Sequence, residues 1–170
     1  MRGFVIALGS VLDLLTKIAV VIGCVGLVAM TVIVTWQVIG RFILNNSPSW
    51  TEPISLLLML YFILLVAAVG VRERFHLGLD LIRIIAPPSV CRIMDMVSFV
   101  VVGCFGASMA WYGWDLMAES WGYPIPAIML PEGLHFLPIV ASGALIFLFS
   151  IECLMRLMLN MPIVTTEGHE

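Results

Sequence analysis

Between Lys17 and Arg41 the chain reads IAVVIGCVGLVAMTVIVTWQVIG (18–40), 23 residues without an Asp, Glu, Lys or Arg. The same silence recurs between Glu52 and Arg72, between Asp95 and Asp115, and between Glu132 and Glu152, each time over 19 residues. At about 1.5 Å of rise per residue, 19 residues of helix reach roughly 29 Å, close to the ~30 Å hydrocarbon core of a bilayer. Backbone groups in lipid must bond within their own segment, so each run is expected to be a helix. Barrel strands would alternate in polarity every second residue, and these runs do not. The expectation is one all-α integral membrane domain over 1–170, with spans at about 18–40, 53–71, 96–116 and 135–158.

Composition agrees. The chain has 170 residues, 62% hydrophobic and 11% charged, against roughly 25% charged in an ordinary soluble domain. Its mean hydropathy of +1.13 excludes intrinsic disorder. A net charge of −3 offers no basic patch for nucleic acid. Arg2, Lys17, Arg72, Arg74, Arg83, Arg92 and Arg156 flank the termini and the middle loop, and only Arg41 lies in the other two loops. Cytoplasmic loops retain basic residues, so both termini and the middle loop are expected inside the cell.

The flanks are less regular. Residues 4–40 would make one helix of roughly 55 Å, so the first dozen residues are expected to lie along the inner interface or project from it. Arg2 fits the start of a signal peptide, but the first span is too long for one and no small-residue cleavage site follows. Asp13 and Lys17 are spaced as a helical ion pair. Segment 72–92 carries Phe75, Leu79, Ile82 and Ile85 at helical spacing, as an amphipathic interfacial helix would, and Pro87 and Pro88 are expected to stop it. The third loop, ESWGYPIPAIMLPEG (119–133), should be turn-rich, with Trp121 and Tyr123 at headgroup depth.

Chemistry is sparse. Transporters usually hold ionisable groups or broken helices at the midplane, and no charged residue or His lies mid-span. The helices are therefore expected to contain no buried ionisable group. A small multidrug antiporter would need an acidic residue there. A haem bundle would need facing histidines, whereas His76, His135 and His169 sit at ends or outside. Cys24, Cys91, Cys104 and Cys153 form no Cys-x-x-Cys and no outer pair, and are expected to be structural. No cofactor, metal site or enzymatic activity is expected. Gly103 with Ala107, and Gly106 with Ala110, are four apart and suit close helix packing, either within the unit or against another subunit. Gly23 and Gly26 open a similar surface on the first span.

Two stretches stand out: RFILNNSPSWTEP (41–53) and VAAVGVRERFHLGLD (66–80). Arg41, Phe42, Asn45, Ser47, Trp50, Thr51 and Glu52, followed one span later by Arg72, His76 and Asp80, resemble the small permease subunit of TRAP transporters (tripartite ATP-independent periplasmic transporters, DctQ-type). Pro53 departs from the pattern, which often has a second acidic residue there. The resemblance implies a stable heterodimer with a large permease subunit that carries sodium and substrate sites. It also implies transient contact with a periplasmic substrate-binding protein and an organic-acid substrate such as a C4-dicarboxylate or a sialic acid. The chain itself would be an auxiliary inner-membrane brace.

The same residues also have local physical readings. Ser49 or Thr51 can cap the second helix, Glu52 is favoured at its positive end, and Arg41 suits the negative end of the first. Arg41 and Glu52 are placed to pair across the loop. Arg72, His76 and Asp80 share one face if their segment is helical. Two rival functions remain: a homo-oligomeric channel lined by Thr31, Thr35, Gln37, Ser98 and Ser108, and a membrane anchor for another complex.

Overall fold

The computed structural model describes residues 2–46, 48–73 and 87–159. Four long helices make up this part of the chain: α1 (Arg2–Phe42), α2 (Thr51–Arg72), α3 (Pro88–Ser120) and α4 (Leu137–Met158). A 3-10 turn, Glu132–His135, leads into α4. All four helices are long and apolar enough to cross a membrane. Ser47 and most of the interfacial segment, including His76, Asp80 and Arg83, lie outside the described residues.

Three helix boundaries differ from the sequence expectation, each for a physical reason. α1 is unbroken for 41 residues, about 60 Å. From Gly9 onward its early part packs on the rest of the chain: Gly9, Leu12 and Thr16 are buried against the other helices. α3 begins at Pro88, eight residues before the expected start of the span. Proline fits the first turn of a helix, where its missing N–H is not needed, so Pro88 opens a helix here. Finally, neither Ser49 nor Thr51 caps α2. The N-cap position is Trp50, without a side-chain cap, and the Thr51 hydroxyl donates backward to the Pro48 carbonyl at 2.8 Å.

The helices form an open row. α2 and α4 pack together at the centre, α1 lies on α2, and α3 lies on α4. Among the described residues, α1 also touches α4, whereas α3 makes no close backbone approach to α1 or α2. The main buried cluster joins Leu12, Ala68, Ile146 and Phe149 from α1, α2 and α4. A second joins Ala19, Leu65 and Val69. Only 17% of the most apolar stretch of α1 and 33% of that of α4 are buried within the chain, so most of each helix faces outward. Lipid tails are as apolar as leucine, so helix association here rests on close packing and polar contacts rather than on the hydrophobic effect.

Close packing is clearest between α3 and α4. A Cβ on Gly106 would lie 2.9 Å from the Gly143 carbonyl oxygen, and one on Gly143 would lie 2.7 Å from the Ala110 backbone nitrogen. The two backbones therefore touch at a glycine–glycine crossing. Gly103 lies against Ser150, and Gly113 against Ile139 and Val140, which extends the seam in both directions. Within apolar α1, the hydroxyls of Thr16, Thr31 and Thr35 donate to the carbonyls four residues earlier, so none is left bare in the helix.

The third loop folds into a compact turn. Pro124 and Pro131 form an isolated bridge, with Ile125 N–H donating to Leu130 O and Glu132 N–H to Tyr123 O, both at 2.7 Å. Ala127 and Met129 take positive φ values of 74° and 55° to close it. Ile125 is tucked inward, and Met129 stands out at 81% exposure.

Candidate functional site

The prominent polar site is a buried ion cluster at one end of the row, where α1, α2 and α4 meet. Arg72, the last residue of α2, is 5% exposed. Its Nε donates to Glu152 Oε2 at 3.2 Å, its Nη1 to Thr16 Oγ1 at 2.9 Å, and its Nη2 to Asp13 Oδ1 at 2.5 Å and the Gly9 carbonyl at 3.3 Å. Its guanidinium carbon also sits 5.5 Å from the centre of the Phe149 ring, within cation–π range. Glu152 is 1% exposed, and its Oε1 accepts from Arg156 Nε at 2.9 Å and Nη2 at 2.8 Å.

These contacts follow from local structure. Glu152 and Arg156 are one helical turn apart, with the acid nearer the N-terminus, which is the favourable order. Gly9 lets the cluster close, because a Cβ there would collide with the Arg156 guanidinium. Two arginines and two carboxylates make the group formally neutral. A buried charge is tolerated only when paired and hydrogen-bonded, and each of these four is. The arrangement locks three helices together at one level.

This overturns the expectation that the helices hold no buried ionisable group. Arg72, Glu152 and Arg156 are all buried, although near helix ends rather than at the midplane. It also corrects the pairing of Asp13, which bonds to Arg72 of another helix, while Lys17 is exposed. The missed signal was a Glu–Arg pair one turn apart inside an otherwise uncharged helix. Such a pair cannot face lipid, so it requires a partner on another helix.

The other motif residues collect at the opposite end of α2. Glu52 and Arg72 are 20 residues apart on that helix, about 30 Å. Asn45 takes φ 52°, and the Asn46 N–H closes onto the Gly40 carbonyl at 3.0 Å, turning the chain out of α1. Asparagine is among the few non-glycine residues that enter this left-handed region readily. Arg41 lies in the last turn of α1 and Glu52 in the first turn of α2, each favoured by the local helix dipole. Both are exposed, as is Trp50, and among the described residues no ion pair joins Arg41 to Glu52. The expected pair across the loop is therefore absent, and these side chains stand free on the surface.

The small residues of α3 divide by role. Gly103 and Gly106 face α4 within the chain, with Ala110 at the glycine crossing. Ala107 and Ala110 also line an open groove between α3 and α4.

Comparison with known proteins agrees with this architecture. The model of the family described as "Tripartite ATP-independent periplasmic transporters, DctQ component" matches residues 30–160. The C4-dicarboxylate TRAP transporter small permease protein DctQ of Vibrio cholerae is 26% identical over 113 residues. That match covers 64% of this chain and 49% of the relative, so the chain spans about half the length of the curated relative it matches. Four apolar helices of spanning length, with the family match running from residue 30 near the end of α1 through α4, establish that the chain belongs to the DctQ component family of the tripartite ATP-independent periplasmic transporters, as a small, multi-pass permease subunit of the inner membrane.

Proposed function

We propose that this chain is the non-enzymatic brace of a sodium-coupled organic-acid transporter. It holds the large permease subunit in a stable heterodimer and presents part of the surface on which the periplasmic substrate-binding protein docks. The observation that carries this reading is the neutral ion cluster. It fastens α1, α2 and α4 to one another, as suits a fixed scaffold rather than a moving element. The exposed Arg41, Asn45, Trp50 and Glu52 form the outer contact set, and Arg72, with His76 and Asp80 beyond it, serves the inner side. Both termini and the 72–92 segment face the cytoplasm in this reading, because basic residues concentrate there.

The substrate is a C4-dicarboxylate or a sialic acid, with the first favoured by the C4-dicarboxylate transporter to which the Vibrio cholerae relative belongs. The test is uptake into proteoliposomes under an inward sodium gradient, using this chain with its large subunit and binding protein. Uptake is expected only from the full set. Uptake by this chain alone, or its recovery as a symmetric homo-oligomer without a large partner, refutes the proposal.

A further inference from the structure

The outward side of the α3–α4 pair carries a groove of about 670 Å³. The small side chains of Ala107, Ala110 and Ala144 leave the depression, and Trp111, Trp114 and Phe147 stand around it. Trp111 is 73% exposed. Asp115 lies at one end, exposed and without a hydrogen-bond or ion-pair partner among the described residues.

Two features define what fits. The first is length. The groove runs from residue 107 to 115 on α3 and from 140 to 148 on α4. Eight residues of helix rise about 12 Å, most of one ~15 Å leaflet and well short of a full span. A partner's transmembrane helix would need a track through the whole bilayer, whereas one acyl chain needs a track through half of it. The second is polarity. Asp95 and Asp115 are 20 residues apart on α3, about 30 Å, so they bracket the hydrocarbon and set Asp115 at headgroup depth. A carboxylate beside two exposed indoles is complementary to a cationic headgroup, and a primary ammonium can in addition donate N–H hydrogen bonds to the carboxylate, which a quaternary ammonium cannot.

We infer that this groove is a binding site for one aminophospholipid of the ethanolamine type, its acyl chain along Ala107, Ala110 and Ala144 and its ammonium at Asp115. This inference is independent of the transporter's substrate and of which leaflet the groove faces.

The test is native mass spectrometry of the full chain extracted from nanodiscs of phosphatidylethanolamine or phosphatidylcholine with identical acyl chains. Retention of the ethanolamine lipid is expected to exceed that of the choline lipid by about fivefold, the equivalent of one net hydrogen bond that the methylated headgroup cannot donate. Asp115→Asn, isosteric and exposed, should bring the two lipids to parity. Ala144→Trp should remove both adducts while the circular dichroism stays helical. Equal retention by the unmodified chain, or unchanged adducts in Ala144→Trp, overturns the inference. A photo-crosslinking residue at Phe147 in native membranes should capture phospholipid. Capture of a polypeptide there overturns the inference in favour of a protein occupant.

Discussion

Glu152→Ala is the substitution by which the structure can be judged most directly. The carboxylate accepts from two arginines at 2.8, 2.9 and 3.2 Å, and all three side chains are nearly inaccessible. Removing it leaves Arg72 with Asp13, Thr16 and the Gly9 carbonyl, but takes the carboxylate from Arg156. Breaking a buried ion pair from one side costs about 3–5 kcal/mol, because the remaining charge stays buried after losing its counter-charge at 2.8 Å. At about 1.4 kcal/mol per factor of ten, the folded population should fall by more than roughly a hundredfold relative to the unfolded. Equilibrium unfolding of the full chain in mixed micelles, followed by tryptophan fluorescence, would measure it. Asp13→Asn supplies the contrast: that side chain is 45% exposed and reaches water, so its loss should cost no more than about 1 kcal/mol. The combined variant Arg72→Met, Glu152→Leu, Arg156→Leu should recover most of the loss, since replacing a whole buried ionic group by apolar side chains is often neutral. If Glu152→Ala stays within about 1 kcal/mol of the unmodified chain, the cluster does not hold the three helices together.

Further outcomes follow from particular positions. Gly143→Val should part α3 from α4 and cost about 1–3 kcal/mol by overpacking, whereas Gly122→Ala, with open space around it, should unfold like the parent. Asn45→Val forces a branched side chain into φ 52° and should destabilise by about 1–2 kcal/mol, while Asn45→Gly should not; thermal unfolding distinguishes them. Arg41→Ala and Glu52→Ala remove exposed, mutually unpaired charges, so each should shift stability by less than about 0.5 kcal/mol. In the proposed role both should nevertheless lower sodium-driven uptake or the yield of the heterodimer; normal values in both variants would remove them from the contact surface.

The four-helix class was legible because hydrocarbon tolerates so few charges: the gaps after Lys17, Glu52, Asp95 and Glu132 each lead into a membrane-length helix. Helix limits were harder to read, since the edge of the lipid does not end a helix. α1 runs on through Asp13, and α3 starts at Pro88 because backbone hydrogen bonding continues past the apolar run. Arg72 drew notice through its motif, but its counter-charge sits 80 residues away in sequence, where Glu152 reads as a mere flank of the fourth span. Only the packing of α4 between α2 and α3 turns that flank inward. Likewise Gly103 and Gly106 announced close packing, whereas Gly143, their counterpart on α4, had no spacing partner to mark it.

The row of helices also gives the polypeptide a history as it is made. Asp13 and Arg72 both belong to the first hairpin, α1 and α2, and are made before Glu152, which lies 80 residues beyond Arg72. During that interval Asp13 is the counter-ion open to Arg72 at the bilayer edge, and the later arrival of α4 adds a sealed bond to the half-wetted one. A contact that adds little to the finished protein can thus serve chiefly as a chaperone for its own assembly.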